Sequence, residues 1–454
     1  MLLRFGVQNH GSLASYQELK MTATALKDVE DGVFHVGADG ADSKVLRVLP
    51  VAGIYGANAS GKSTLLSGFE FFCNGIVESH TGIASGIGTP FVPFKLDEES
   101  RKKTSQYDAD IVLDNVRYHY GYTLDGKKIV NEWLYSFDLK ATRQVRTVLF
   151  MRETSDELAV ELQFGKSLKG ENKQISKLVR PNSLFLSAAA QNAHPQLTPI
   201  FEFFYKRVVQ RLYSGIEENK IPEQLSTYFG SDSARRTAAV QFLRAADVGI
   251  SGMDFSKTPI GEKESLLMQD FEQVLRKHLP SNESFPLIEK KERAKVSLLH
   301  LGAEGKTYPL PLKRESTGTL ALLQLLGPAF ARLHDGGVLV VDELNSALHP
   351  LVSRELIRLF SSPTTNPSRA QLIFTTHDTN LLSGGLLRRD QIWFTEKDPI
   401  GATHVYALSD IKVRANDNLE RGYLMGRFGA IPFVGCGLTD FADLFQKEIQ
   451  GGEK

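Results

Sequence analysis

One run of residue types could hold a chain of phosphates: "GANASGKST", Gly56 to Thr64. Gly56, Gly61, Lys62 and Ser63 satisfy the spacing G-x-x-x-x-G-K-[ST]. Gly56 lets the backbone leave a strand in a tight turn. The small residues Ala57, Ala59 and Ser60 leave room for phosphates against backbone N–H groups, and Gly61 opens a helix whose N-terminal amides and dipole favour an anion. Lys62 is expected to reach the β and γ phosphates and Ser63 to ligate Mg2+. Asn58 and Thr64 complete the lining. The pattern alone can arise by chance in a Gly-rich chain, but here it follows an expected strand and opens an expected helix.

A second set of residues suits the other end of a triphosphate. "GGVLVVDELNSALHP", Gly336 to Pro350, is an apolar run ending in two carboxylates. At a strand tip Asp342 is placed to hold Mg2+ through water, and Glu343 to polarise an attacking water. A plain strand-end turn is the bland alternative, and the phosphate loop upstream weighs against it. "QLIFTTHDTNLL" brings His377 to the end of the following strand, the place for a γ-phosphate sensor, although a lone His is more often structural. "KRESTGTLALLQLL", Lys313 to Leu326, puts Ser316 and Gly318 at the N-terminus of an apolar helix. That end is an anion site or an ordinary Ser/Thr cap, and the pattern does not separate the two.

These residues need an α/β frame. Residues 49–55 are expected as a buried strand and 62–73 as a helix with Leu65, Leu66, Phe69 and Phe72 on one side. Strands are expected at 337–342 and 371–376, helices at 318–334 and 349–361. Between the two halves, 105–165 alternates in the manner of antiparallel strands, and Asp125-Gly126 should turn a hairpin. Residues 194–280 carry helical pieces such as "PIFEFFYKRVVQRL" and "ESLLMQDFEQVLRKHL"; short strands return at 295–312, and 390–410 is strand-like. The expected fold is thus an α/β P-loop core split in sequence, 1–100 and 295–410. An antiparallel β region and link (101–193) and a helical insertion (194–294) separate its halves, and a C-terminal extension (411–454) follows.

Composition bounds the rest. A chain of 454 residues is too long for one compact core, so several domains or large insertions are expected. Lys+Arg and Asp+Glu are both 53, so no global charge advertises nucleic acid. Cys73 and Cys436 are the only cysteines, too few and too far apart for a disulfide or zinc framework. With no signal-peptide pattern and no long apolar run, a cytoplasmic protein without a membrane partner is the simplest expectation.

The order phosphate loop, Ser-x-Gly helix start, double-acid strand, "NSALHP" and strand-His resembles the ABC-type ATPase heads of ABC transporters, SMC proteins and RecF. "GANASGKS" is close to the G-x-N-G-x-G-K-[ST] of the RecF/SMC group, with Ala59 where that group has Gly. "ESTGT" departs from the transporter signature L-S-G-G-Q, so only Ser316 and Gly318 carry over. A closer resemblance is to a bacterial family of AAA-type ATP/GTP-binding proteins, ABC-like in architecture. It is carried by "YGANASGKST", "RPNSLFLSAAAQN", "RAADVGISGM", "ESTGT", "DELNSALHP", "TTHDTNLL" and "YLMGRFGAIPFV". RloA-like members, and relatives in the OLD, Septu and PARIS groups, belong to restriction-linked or phage-defence loci, where the ATPase works with a separate or fused effector.

The resemblance implies ATP and Mg2+ as ligands and Glu343, His377 and Lys62 as the catalytic groups. It also implies a homodimer or higher homo-oligomer with composite ATP sites. In such a site Ser316 and Gly318 would contact the partner's γ-phosphate, and Asn345 to His349 would cross the interface. It places a metal-side Gln at the end of a strand leading to the helical lobe; Gln191 stands in that place, with a capping or turn role as the alternative. The implied function is an ATP-hydrolysing switch or motor that controls a separate effector in anti-phage defence or restriction-linked DNA processing. The alternative is a RecF/SMC-like repair ATPase acting directly on DNA.

Rival readings lack their own signals. A GTPase needs an N/T-K-x-D element, and "TEKD" at 395–398 has its lysine displaced by one. An SMC-type protein needs long heptad arms, and the insertion holds only short broken pieces. A transporter subunit would not need such large extra segments. For a fused nuclease, about 75 residues after His377 leave too little room. The basic runs 101–103, 235–236, 290–295 and 388–389 read as solvated surface, lining a DNA groove only if the fold unites them. In the tail, Arg421 and Arg427 lie among glycines and aromatics, in a segment that either packs on the core or docks a partner.

Overall fold

The computed structural model describes residues 1–26, 28, 32–37, 45–141, 143–211, 220–246, 249–259, 270, 292–346, 348–414 and 417–431. Apart from Asp270, the stretch "ESLLMQDFEQVLRKHL" lies outside them, as do Cys436, Lys290, Lys291 and the end of the tail motif.

Four short, nearly continuous apolar runs form the centre, as strands buried on both faces should. The phosphate-loop strand Val51–Tyr55, the acid strand Val338–Val341, the histidine strand Gln371–Thr375 and Ile392–Lys397 run parallel in one six-stranded sheet. Val208–Arg211 lies at the edge beside the acid strand, and Thr403–Ala407 closes the other edge as an antiparallel hairpin. Val341 pairs with Phe374, and Phe374 with Gly53. Residues just beyond the carboxyl ends of neighbouring strands therefore stand side by side, where open α/β sheets bind ligands.

Alternation of side chains sorts each strand between two cores. Ala52, Ile54, Val338, Val340 and Ile373 face the helix Lys62–Glu78, while Val51, Tyr55, Leu339, Val341 and Phe374 face the helices Thr317–Asp335 and Pro350–Ser361. The helix Lys62–Glu78 buries Leu65, Leu66, Phe69, Phe72, Cys73 and Ile76. Its far side meets a second, seven-stranded sheet built from Leu2–Gln8, Gln17–Lys20 and the meander Ser105–Phe164. Phe72 stacks on Tyr122 of that sheet at 5.6 Å. The helix that must carry the phosphate loop is thus clamped between two sheets.

The meander and the Asp125 turn follow the alternation seen in sequence: Lys127 and Lys128 N–H groups donate to the Asp125 side chain. Residues 194–294 do not follow the helical expectation throughout. Val208–Arg211 is a strand of the central sheet, and Ile250–Pro259 is a strand paired with Glu292–Leu301. A four-residue strand with only two apolar residues is too short for periodicity to tell it from a helix segment, and here the β-branched Val208 and Val209 sit at a sheet edge. Helices Ile221–Leu225 and Ser233–Ala245 do form, and with the small sheet and Leu320, Leu323 and Leu326 they bury a third core. Among the described residues, no helix is long and apolar enough to cross a membrane.

Candidate functional site

The loop Gly56–Gly61 leaves its strand through two glycines that no other residue could replace without strain. Gly56 has φ 157° and Gly61 φ 110°. A Cβ at Gly56 would lie 2.5 Å from Thr395 Oγ1, and one at Gly61 would lie 2.2 Å from Thr403 Oγ1. The crowding comes from a hydroxyl buttress behind the loop. Ser60 Oγ and Thr395 Oγ1 are 2.6 Å apart, Thr403 Oγ1 donates to the Ser60 carbonyl at 2.9 Å, and Ser12 Oγ contacts Thr403 Oγ1 at 2.8 Å. Ser60, Gly61 and Lys62 are buried, whereas Asn58, Ala59 and Ser63 are exposed. The first-turn amides of Lys62, Ser63 and Thr64 have no acceptor inside the helix, as at any helix N-terminus.

Lys62 Nζ reaches back across the loop, donating to the carbonyls of Gly56 (2.8 Å) and Ala57 (3.0 Å). Burial lowers its pKa to about 8, with Asp342 and Glu343 pulling the other way. The same two carboxylates oppose the shift of His377, whose pKa is lowered by burial and by Lys62. These four groups, scattered over more than three hundred residues of sequence, therefore share one electrostatic environment at the ends of three adjacent strands.

The acid pair is held from the neighbouring strand. Thr375 Oγ1 donates to Asp342 Oδ1 and accepts from the Glu343 N–H at 2.7 Å; the Thr375 carbonyl accepts from Leu344 N–H at 3.0 Å. Glu343 has φ 52°, an uncommon conformation for a residue with a side chain. Next to it Asn345 Oδ1 accepts from Thr376 Oγ1 (2.8 Å) and from His377 N–H (3.3 Å), tying the segment after the acids to the histidine tip. These threonine and asparagine roles have no distinctive spacing; the doubled hydroxyl of "TTH" was the only hint.

The residues present suit Mg2+. Among the described residues no group of three or more His, Cys, Asp or Glu side chains is arranged to hold a metal unaided. Mg2+ asks for less, because it keeps several waters and is commonly held by one or two protein groups together with substrate phosphates. Ser63, exposed beside the loop, and Asp342, oriented by Thr375, are groups of that kind.

Other sequence candidates fall elsewhere. Ser316 caps the helix Thr317–Asp335, accepting from Thr319 N–H at 3.1 Å, and Ser316 is exposed with Gly318 half-buried. Both lie at the end of that helix that packs into the third core. Among the described residues no hydrogen bond links them to the phosphate loop of their own chain. Gln191 does not end a strand. Its alanine-rich segment forms the helix Phe185–Gln191, and the start of that helix is tied to the far end of the phosphate-loop helix by Leu184 N–H to Ser79 Oγ, 3.1 Å. The strand that leads to the lobe is Val208–Arg211, and the glutamine it carries is Gln210, half-buried and in contact with the Cys73 thiol.

Two of the basic runs are engaged in contacts within the chain. Arg388 is buried in an ion pair with Asp390 (2.9 Å) and Arg389 pairs with Asp28 (2.7 Å), so neither is free solvated surface. Arg235 pairs with Asp232 and Asp335, and Arg236 lies over the Phe255 ring. In the tail, Tyr423 stacks on Phe394 at 5.5 Å and Phe428 is buried in the second core, while Arg421 and Arg427 are exposed. The described part of that segment packs on the central sheet.

The parallel sheet, the loop strand running through two glycines into a helix, and the acid pair beside it define an α/β protein of the P-loop kind, with an antiparallel β layer and an inserted lobe. Residues 51–383 match the family described as "AAA domain, putative AbiEii toxin, Type IV TA system", and the chain belongs to that family. Among solved structures, it is similar to the SMC head domain from Thermotoga maritima, at 11% identity and TM-score 0.38, covering 91% of this chain and 99% of that one. It is also similar to the Smc head domain with an extended coiled coil bound to the C-terminal domain of ScpA, from Pyrococcus furiosus. There the identity is 11% and the TM-score 0.32, with 89% of this chain and 96% of that one covered. Comparison with curated proteins gives no match.

Proposed function

We propose that this chain binds and hydrolyses MgATP, that two copies close over two nucleotides, and that the cycle switches a separate effector protein. The observation that carries the chemistry is the convergence of Lys62, Asp342, Glu343 and His377 at the carboxyl ends of three adjacent strands, with the acid pair fixed by Thr375. Lys62 and the loop amides would hold the phosphates, and Ser63 and Asp342 the Mg2+, which when bound would offset charge on the β and γ phosphates. Glu343 would orient and deprotonate the attacking water, and His377 would contact the γ-phosphate.

The dimer is proposed because Ser316 and Gly318 form an exposed helix start without a bond to their own chain's loop, so a second copy can present them to the γ-phosphate. Closure would be favoured only while that phosphate supplies charge to the otherwise unpaired N–H groups, and its loss would let the copies part. The family's description names a toxin and a type IV TA system, which supports a partner-controlled role; membership among the RloA, OLD, Septu or PARIS ATPases, and a place in anti-phage defence, are part of this proposal. Direct action on DNA has less support, since Arg235, Arg388 and Arg389 are engaged in ion pairs.

The test is Glu343→Gln. The variant should bind MgATP with near-normal affinity, hydrolyse it roughly 10²–10⁴-fold more slowly and accumulate as a dimer. Wild-type turnover in this variant would contradict the assignment of Glu343.

A further inference from the structure

Thr375 is fully buried and lies level with Asp342, because Val341 and Phe374 pair in the strands before them. Its single hydroxyl does two things. It donates to the Asp342 carboxylate, which sets the direction in which that carboxylate faces. It also accepts the Glu343 N–H at 2.7 Å, which holds Glu343 in its left-handed backbone conformation, φ 52°. That conformation is unfavourable for a residue with a side chain and persists only where surrounding bonds impose it.

The Thr375 carbonyl makes a third bond, to Leu344 N–H at 3.0 Å, which belongs to the backbone and survives any side-chain change. Substituting the side chain therefore leaves the strand-to-strand connection in place and removes only the two bonds to the acids. Thr376, one residue on, makes a separate bond to Asn345 and does not reach the acid pair in any described hydrogen bond.

We infer that Thr375 is a positioning residue for the hydrolytic reaction: its hydroxyl aims Asp342 at the metal and Glu343 at the water. This rests on the proposed MgATP chemistry. Partners that orient a metal-side ligand typically contribute about 10–100-fold in metal affinity or activity. Loss of the hydroxyl also leaves the Glu343 N–H without its acceptor, so the backbone can leave the left-handed region and carry the carboxylate away from the water.

The test compares Thr375→Val, which keeps the β-branched shape, with Thr375→Ser, which keeps the hydroxyl. For each, ATP turnover is measured against ATP and against Mg2+, and nucleotide affinity is measured in EDTA. Thr375→Val should lower kcat about 10–100-fold and raise the Mg2+ concentration needed for half-maximal nucleotide binding, with metal-free affinity unchanged; Thr375→Ser should stay within a few-fold of wild type. If the valine variant keeps wild-type kcat and Mg2+ dependence, or the serine variant fails as badly as the valine one, the inference is overturned. Thr375→Ala, read in the same way, takes the place of the valine variant should that chain not fold. A wild type that binds MgATP without turning it over would defeat the proposed hydrolysis alone, because the Mg2+ titration of binding still reports on Thr375.

Discussion

Gln371, at the start of the histidine strand, holds the backbone of Leu2 at both ends. Leu2 N–H donates to Oε1 at 2.7 Å, and Nε2 donates to the Leu2 carbonyl at 2.8 Å. A further bond from Nε2 reaches the Leu49 carbonyl at 3.1 Å, just before the phosphate-loop strand. One fully buried amide thus joins the central sheet to the antiparallel sheet on the opposite side of the phosphate-loop helix. Residues 2 and 371 become neighbours through it, and the split halves of the core are locked together.

Gln371→Leu keeps the volume and removes all three bonds, leaving two carbonyls and one N–H buried without partners. The expected loss is about 2–4 kcal/mol in unfolding free energy, read from urea denaturation. Because no atom of Gln371 lies at the nucleotide site, kcat should change little at temperatures where the variant stays folded. A loss below about 0.5 kcal/mol would show that the two sheets are held by apolar packing alone.

On the proposed reading, Lys62 should link pH to nucleotide affinity. Its pKa is lowered to about 8, chiefly by burial. A bound phosphate chain favours the ammonium, so the pKa rises on binding. The sign follows: below about pH 8 the amine is already charged and affinity is flat, whereas above it binding must take up a proton and affinity falls by about tenfold per pH unit. Isothermal titration in buffers of differing ionisation enthalpy should detect proton uptake near pH 8.5. Lys62→Ala should lose most of the affinity and all of that pH slope; unchanged ATP affinity would remove Lys62 from the phosphate site.

Much of this site was legible in the residues themselves. Glycines at 56 and 61 announce a loop that only glycine can make, and the run before Asp342 announces a strand tip. Both signals are local, so the chain carries them in its own residue order. Gln191 was expected at a strand end on the cue of a glutamine after an apolar stretch, but Ala188 to Ala190 favour a helix there, and the strand beside the acids is the short run Val208–Arg211, whose sheet partner lies more than a hundred residues downstream. Arg388 and Arg389 read as surface because their partners, Asp390 and Asp28, are ordinary carboxylates until the fold brings them close. Thr375 was invisible for the same reason. A threonine in a strand is unremarked by propensity, and its use depends on a register between strands that periodicity does not encode.

The central claim is that two copies share each nucleotide, and mixed dimers test it most directly. Lys62→Ala and Ser316→Arg chains each lack one half of every composite site, so each alone should be inactive. In a dimer of one of each, a single site combines the intact loop of the Ser316→Arg chain with the intact Ser316 of the Lys62→Ala chain. The account predicts that ATP turnover, absent from either variant alone, reappears on mixing. Mixed dimers that form and still show no turnover at any ratio would contradict it.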